Sequence, residues 1–176
     1  MASINDFAFL NNTAYRQIYK TIEEAMQYYS ANPNIACDRF RNSLECILDH
    51  IDVTLKIEKD DCDLYNRIEV LRQLPEDLIN HSIIDEMHTL RSVSNLYHHY
   101  YDEDRDPSKD RVTCYVALLK VCKWFVEFPI KYKSYLESEE QKRRKRKETR
   151  KTIGKIALVS IAIVGAIFGI TKLNNK

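Results

Sequence analysis

The chain has 176 residues, 44% of them hydrophobic and 30% charged, with a formal net charge of +1. That charge hides a division: residues 142–176 hold eleven Lys/Arg against one acid, +10, whereas 1–141 hold sixteen against twenty-five, −9. The acidic part therefore has no bulk attraction for nucleic acid, so any RNA site in it must be local. Five scattered cysteines, Cys37, Cys46, Cys62, Cys114 and Cys122, are odd in number and lack a close metal-type pair. They point to reduced, mostly buried thiols and away from a disulfide framework or a zinc site.

The first residues, "MASINDFAFLNN", have neither a basic start nor a long apolar core, so no signal peptide is expected. From Tyr15 the apolar residues Ile18, Tyr19, Ile22, Ala25, Met26 and Tyr29 keep a helical period until Pro33 interrupts it. A second helix is predicted from about Asn34 to Ile57, with Phe40, Leu44, Ile47, Leu48, Ile51 and Leu55 on its inner face. The acidic run "EKDDCD" marks a loop, and a short helix carrying Leu64, Ile68 and Leu71 ends before Pro75.

Pro75 is placed to open the next helix, with Glu76 and Asp77 suiting its positive end. That helix carries Ile83, Met87, Leu90, Ser94, Tyr97 and Tyr101 as a core seam. "DEDRDPSKD" reads as a solvated loop. A fifth helix follows from about Ser108 with Val112, Tyr115, Leu118, Leu119, Cys122, Phe125 and Val126, bent at Pro129. No strand-like alternation and no repeat is present, which predicts an all-α bundle of about five helices.

Beyond the basic run 142–151, residues 156–171 form sixteen consecutive uncharged residues between Lys155 and Lys172. As a helix they extend about 24 Å, short of a ~30 Å hydrocarbon core unless the flanking lysines reach outward. The reading is a single C-terminal transmembrane helix, a tail anchor in the cell membrane with the N-terminal domain cytoplasmic by the positive-inside rule. The basic run serves as its topology signal and touches anionic membrane lipid. Gly165 and Gly169, shadowed by Ala162 and Ala166, form a small-residue face on which two anchors would pack into a homo-oligomer, a dimer or higher. The predicted organisation is an N-terminal helix over 1–33, a core over 34–128, a helical basic juxtamembrane segment over 129–155 and the anchor over 156–171.

One stretch carries candidate chemistry. "MHTLRSVSNLYHHYY" places Arg91, Asn95 and His99 one helical turn apart in succession, with His98 seven residues after Arg91 and His88 extending the strip upstream. A polar strip beside an apolar seam can be structural, bonding an acid such as Glu45, or it can be a site.

The strip resembles the motif of HEPN domains, helical bundles with an Arg, four to six residues and a His late on one helix; Arg91 and His98 satisfy that spacing. It is also similar to one bacterial HEPN-like family with Arg, two residues, Leu-Glu on an early helix and Arg-x3-Asn-x3-His later. Here these positions are Arg41, Leu44 and Glu45, then Arg91, Asn95 and His99. The resemblance covers about residues 34–128. It departs at Ser94, where the family has Gly, and at Tyr97-His98, where it has small residues.

The resemblance implies metal-independent RNA cleavage across a homodimer interface, with no cofactor, or RNA binding in inactive members. Arg91, Asn95, His98 and His99 would be catalytic, the choice between the two histidines staying open, and Arg41, Glu45 and His88 would support or bind RNA. An imidazole can exchange the 2′-hydroxyl and leaving-group protons, and an arginine can stabilise charge on the phosphate. A membrane-tethered effector of antiviral defence is the functional expectation. The architecture is similar in outline to HEPN-like accessory proteins of RNA-targeting CRISPR systems, which makes such an effector, or another defence component, a candidate partner, although no motif ties the chain to them. The alternative is a non-enzymatic oligomeric membrane protein, a pore-forming or permeability effector or a tail-anchored adaptor, with a degenerate HEPN fold.

Overall fold

A computed structural model describes the backbone of residues 2–57, 63–99 and 106–173, and the side chains of 2–57, 63–97 and 106–149. Among the described residues the fold is all-α. A 3₁₀ turn, Ile4–Leu10, precedes α1 (Arg16–Tyr28), α2 (Pro33–Leu55), α3 (Leu64–Leu71), α4 (His81–His99) and α5 (Pro107–Leu173). The chain divides into two compact units, Met1–Lys131 and Tyr132–Lys176.

In the first unit α2 is central, packed on α1 and α4, while α3 packs chiefly on α4. Its start is dictated by Pro33 at the first helical positions and by Asn32, whose side chain accepts from the Ile35 amide. Phe40, Leu44, Ile47, Leu48 and Ile51 are fully buried along it, as the period required. Each such side chain contributes about 1.5–3 kcal/mol by leaving water. α1 adds Ile18, Ile22 and Ala25, and α3 adds Leu64, Ile68 and Leu71. α3 is capped by Asp63, which accepts from the Asn66 amide at 2.8 Å. It is tied to α2 by Arg67, which donates to Asp52 at 2.6 Å and to Asp49 at 2.8 Å.

Three details differ from the sequence reading. Pro75 opens a turn, not a helix: its carbonyl accepts from the Leu78 and Ile79 amides. The Leu78 carbonyl then takes the Trp124 indole N–H at 2.8 Å. α4 starts at His81 because Asn80 is the better cap, its side chain accepting from the Ile83 amide. The seam of α4 consequently runs through Ile84, Met87, Leu90 and Ser94, with Ile83 only half-buried. Finally, Val112 on α5 is exposed, and the buried face there is Cys114, Tyr115, Leu118, Val121, Cys122, Phe125 and Phe128.

The N-terminal 3₁₀ turn buries Phe7 and Leu10. It is held by Tyr115, whose ring meets Phe7 edge-on at 5.4 Å and whose hydroxyl donates to Asp6 and the Ser3 carbonyl. Cys37, Cys114 and Cys122 are buried and Cys46 is half-buried, while Cys62 lies outside the described residues. Burial pushes the Cys122 thiol far above its ordinary range.

The expected transmembrane anchor is corrected. Residues 156–171 are not an element of their own, since α5 continues to Leu173. Among the described residues no helix is long and apolar enough to cross a membrane. The physical reasons lie in the sequence: sixteen uncharged residues make only about 24 Å of helix. No proline after Pro129 separates them from the charged helix before. The packing set Ala162, Gly165, Ala166 and Gly169 lies outside the residues whose side chains are described.

Candidate functional site

The strip on α4 is assembled from three helices. On α2, Arg41 and Glu45 stand one turn apart beside the buried face, and Arg41 Nε donates to Glu45 Oε1 at 2.9 Å. Arg41 is only 16% exposed, and its Nη1 donates to Oδ1 of Asn95 on α4. Two residues separated by 54 positions are thereby joined, and Glu45 reaches Asn95 through Arg41.

Small residues accompany this junction. Ser43 on α2 and Ser94 on α4 are both fully buried. Each returns its hydroxyl to its own helix, Ser43 to the Arg39 carbonyl at 3.1 Å and Ser94 to the Leu90 carbonyl at 2.7 Å. Ser94 thus keeps the local surface narrow, as a glycine would, without leaving an unpaired donor.

The upstream half of the strip turns instead to α3. His88 Nε2 lies 2.7 Å from Glu69 Oε1, and Glu69 also accepts from Arg72 Nε at 3.1 Å. Hydrogen bonds from Arg72 first, and then from His88, hold the Glu69 carboxyl below the usual carboxylate range. His88 uses Nε2 for this contact, which leaves its second ring nitrogen, Nδ1. Nδ1 is buried and has no hydrogen-bond partner among the described residues.

Tyr65 completes this half. Its ring centre lies 5.0 Å from that of His88 and 5.2 Å from the guanidinium carbon of Arg91. Arg91 Nε is buried without a hydrogen-bond partner among the described residues. Its charge is thus met by a ring face, not by a carboxylate.

The structure therefore splits the predicted residues. Arg41, Glu45 and Asn95 form one connected group between α2 and α4. His88 and Arg91 belong to a second group with Tyr65, Glu69 and Arg72 of α3. His98 and His99 lie in the last turn of α4, and their side chains are outside the described residues. The α3 members escaped the sequence reading, although a signal was present. Tyr65, Glu69 and Arg72 each follow a buried residue, Leu64, Ile68 and Leu71, by one position, so they flank the core stripe on one side.

Among the described residues no three His, Cys, Asp or Glu side chains are grouped to hold a metal ion. Chemically, the arrangement offers one guanidinium free of a carboxylate, one oriented imidazole and one half-exposed aromatic ring. No protein-family model, no curated protein and no solved structure matches the chain, so the HEPN resemblance rests on the residues quoted for it.

Proposed function

We propose that the chain is a HEPN-like helical protein that acts on RNA through the α4 strip, with two copies each supplying one strip. The observation that supports this reading is the Arg41–Asn95 hydrogen bond between α2 and α4. It joins the two helices at residues that the resemblance singles out on separate grounds. In the proposed reaction the 2′-oxygen attacks the adjacent phosphorus after losing its proton to a base. The 5′-oxygen leaves with a proton, and the P–O5′ bond breaks as the P–O2′ bond forms. His98 or His99 supplies the proton exchange, and Arg91 meets the charge that grows on the phosphate.

A second reading has its own support. Arg41, Glu45 and Asn95 satisfy one another, and a group so occupied suits a non-enzymatic interaction module with a degenerate site. Cleavage of single-stranded RNA by the full chain in EDTA separates the two. The enzyme reading expects cleavage by the wild type, lost in Arg91→Ala and in His98→Ala/His99→Ala. RNA binding without cleavage would favour the module, and neither binding nor cleavage would end the RNA reading.

A further inference from the structure

We infer that Tyr65 is a base-stacking platform beside Arg91, so that the α3–α4 surface takes one nucleotide of single-stranded RNA. The base lies on the ring and the phosphate meets the guanidinium. This rests on the RNA reading above and names a contact residue that the resemblance does not contain.

Three observations carry it. Tyr65 is 47% exposed although it stands next to the buried Leu64, so a large part of its ring faces water. The ring is nevertheless held in place from α4, by Arg91 at 5.2 Å and by the His88 ring at 5.0 Å. His88 is in turn fixed by Glu69 at 2.7 Å. A ring that is exposed yet already oriented can accept a base at little further ordering cost.

The third observation is the state of Arg91. Neighbouring guanidiniums are neutralised: Arg67 by Asp49 and Asp52, Arg72 by Glu69 and Asp85. Arg91 has no such carboxylate among the described residues, and its buried Nε is unpartnered. A phosphodiester oxygen would meet the charge of the guanidinium. A phosphorylated side chain would use the guanidinium but leave the ring idle, which is why a nucleotide fits better.

The test measures binding of the full chain to a fluorescein-labelled single-stranded oligoribonucleotide, 2′-O-methylated against cleavage, and to its abasic counterpart. The wild type is expected to prefer the base-bearing strand about ten-fold. Tyr65→Ala should bring that ratio close to one, and Tyr65→Phe should keep it, since the ring and not the hydroxyl is used. An unchanged ratio in Tyr65→Ala, or a wild type that binds both strands equally, would overturn the platform while leaving the RNA reading intact. A wild type that binds neither strand would overturn the RNA reading, and the platform with it.

Discussion

Glu69 ties the contact between α3 and α4 to pH. Its folded carboxyl lies below the ordinary 4.5 because Arg72, and then His88, donate to it. The ionised form is thus favoured by folding. Its stabilising contribution is complete above 4.5 and is lost as the pH falls through the depressed folded value. Glu69→Gln should be less stable than wild type at pH 7, and the difference should shrink as the pH drops below 4.5. Urea unfolding at several pH values measures both limbs, and a constant difference would remove Glu69 from this role. A second residue-scale expectation concerns Arg41 and Asn95. A charged donor on an amide oxygen in a half-buried setting couples by about 1–2 kcal/mol. The double-mutant cycle Arg41→Ala, Asn95→Ala read by chemical denaturation should return that coupling, and strict additivity would argue against the contact.

Between residues and the whole chain, the ends of helices are the informative places. α2 ends with Lys56 in the left-handed conformation, φ 57° and ψ 38°, where a side chain is strained and glycine is not. Removing the Cβ relieves about 1–2 kcal/mol, offset in part by about 0.5–1 kcal/mol of extra freedom in the unfolded chain. Lys56→Gly should therefore stabilise the protein by about 0.5–1 kcal/mol, raising Tm by a few degrees in calorimetry. The acidic run after Ile57 announced this end, but the left-handed residue was not legible, since Lys does not select positive φ. The interiors of α1, α2 and α3 were legible for the opposite reason: their apolar residues repeat at three and four, and burial followed the repeat. Pro75 suggests a helix opening in the sequence, but the Asn80 side chain caps α4 and Pro75 opens a turn whose Leu78 carbonyl takes the Trp124 N–H. Half of the candidate site could be read, because Arg41 and Asn95 each stand in one of the two motifs of the resemblance. Tyr65 and Glu69 could not, because their meeting with Arg91 and His88 depends on how α3 lies on α4.

At the scale of the molecule the charge division asks for an account. The positive-inside reading of residues 142–151 rests on a span that the structure corrects. Lys142 and Arg144 are engaged by Glu139 and Glu140 at 2.9 and 2.6 Å. Arg143, Lys145, Arg146 and Lys147 are exposed, and, behind Lys142, the charges of Arg146 and Arg143 help to hold the Glu139 carboxyl below the usual carboxylate range. A first unit that is net acidic gains little bulk attraction for RNA, so a local site such as Arg91 with Tyr65 would supply discrimination but weak overall affinity. Arg143, Lys145, Arg146 and Lys147 belong to the second unit, and each phosphate that one of them meets would release counterions. For single strands the logarithm of the binding constant falls by about 0.7 per contact for each tenfold rise in salt. The variant Arg143→Gln/Lys145→Gln/Arg146→Gln/Lys147→Gln should thus flatten the salt dependence of RNA binding by up to about 3, as 0.7 for each of four contacts requires. Its preference for a base-bearing over an abasic strand should remain that of the wild type, because that preference belongs to Tyr65. Anisotropy titrations across a salt series read both quantities at once. An unchanged slope would assign these cations no part in RNA binding, and a lost preference would mean that stacking and phosphate contact are not separable in this protein.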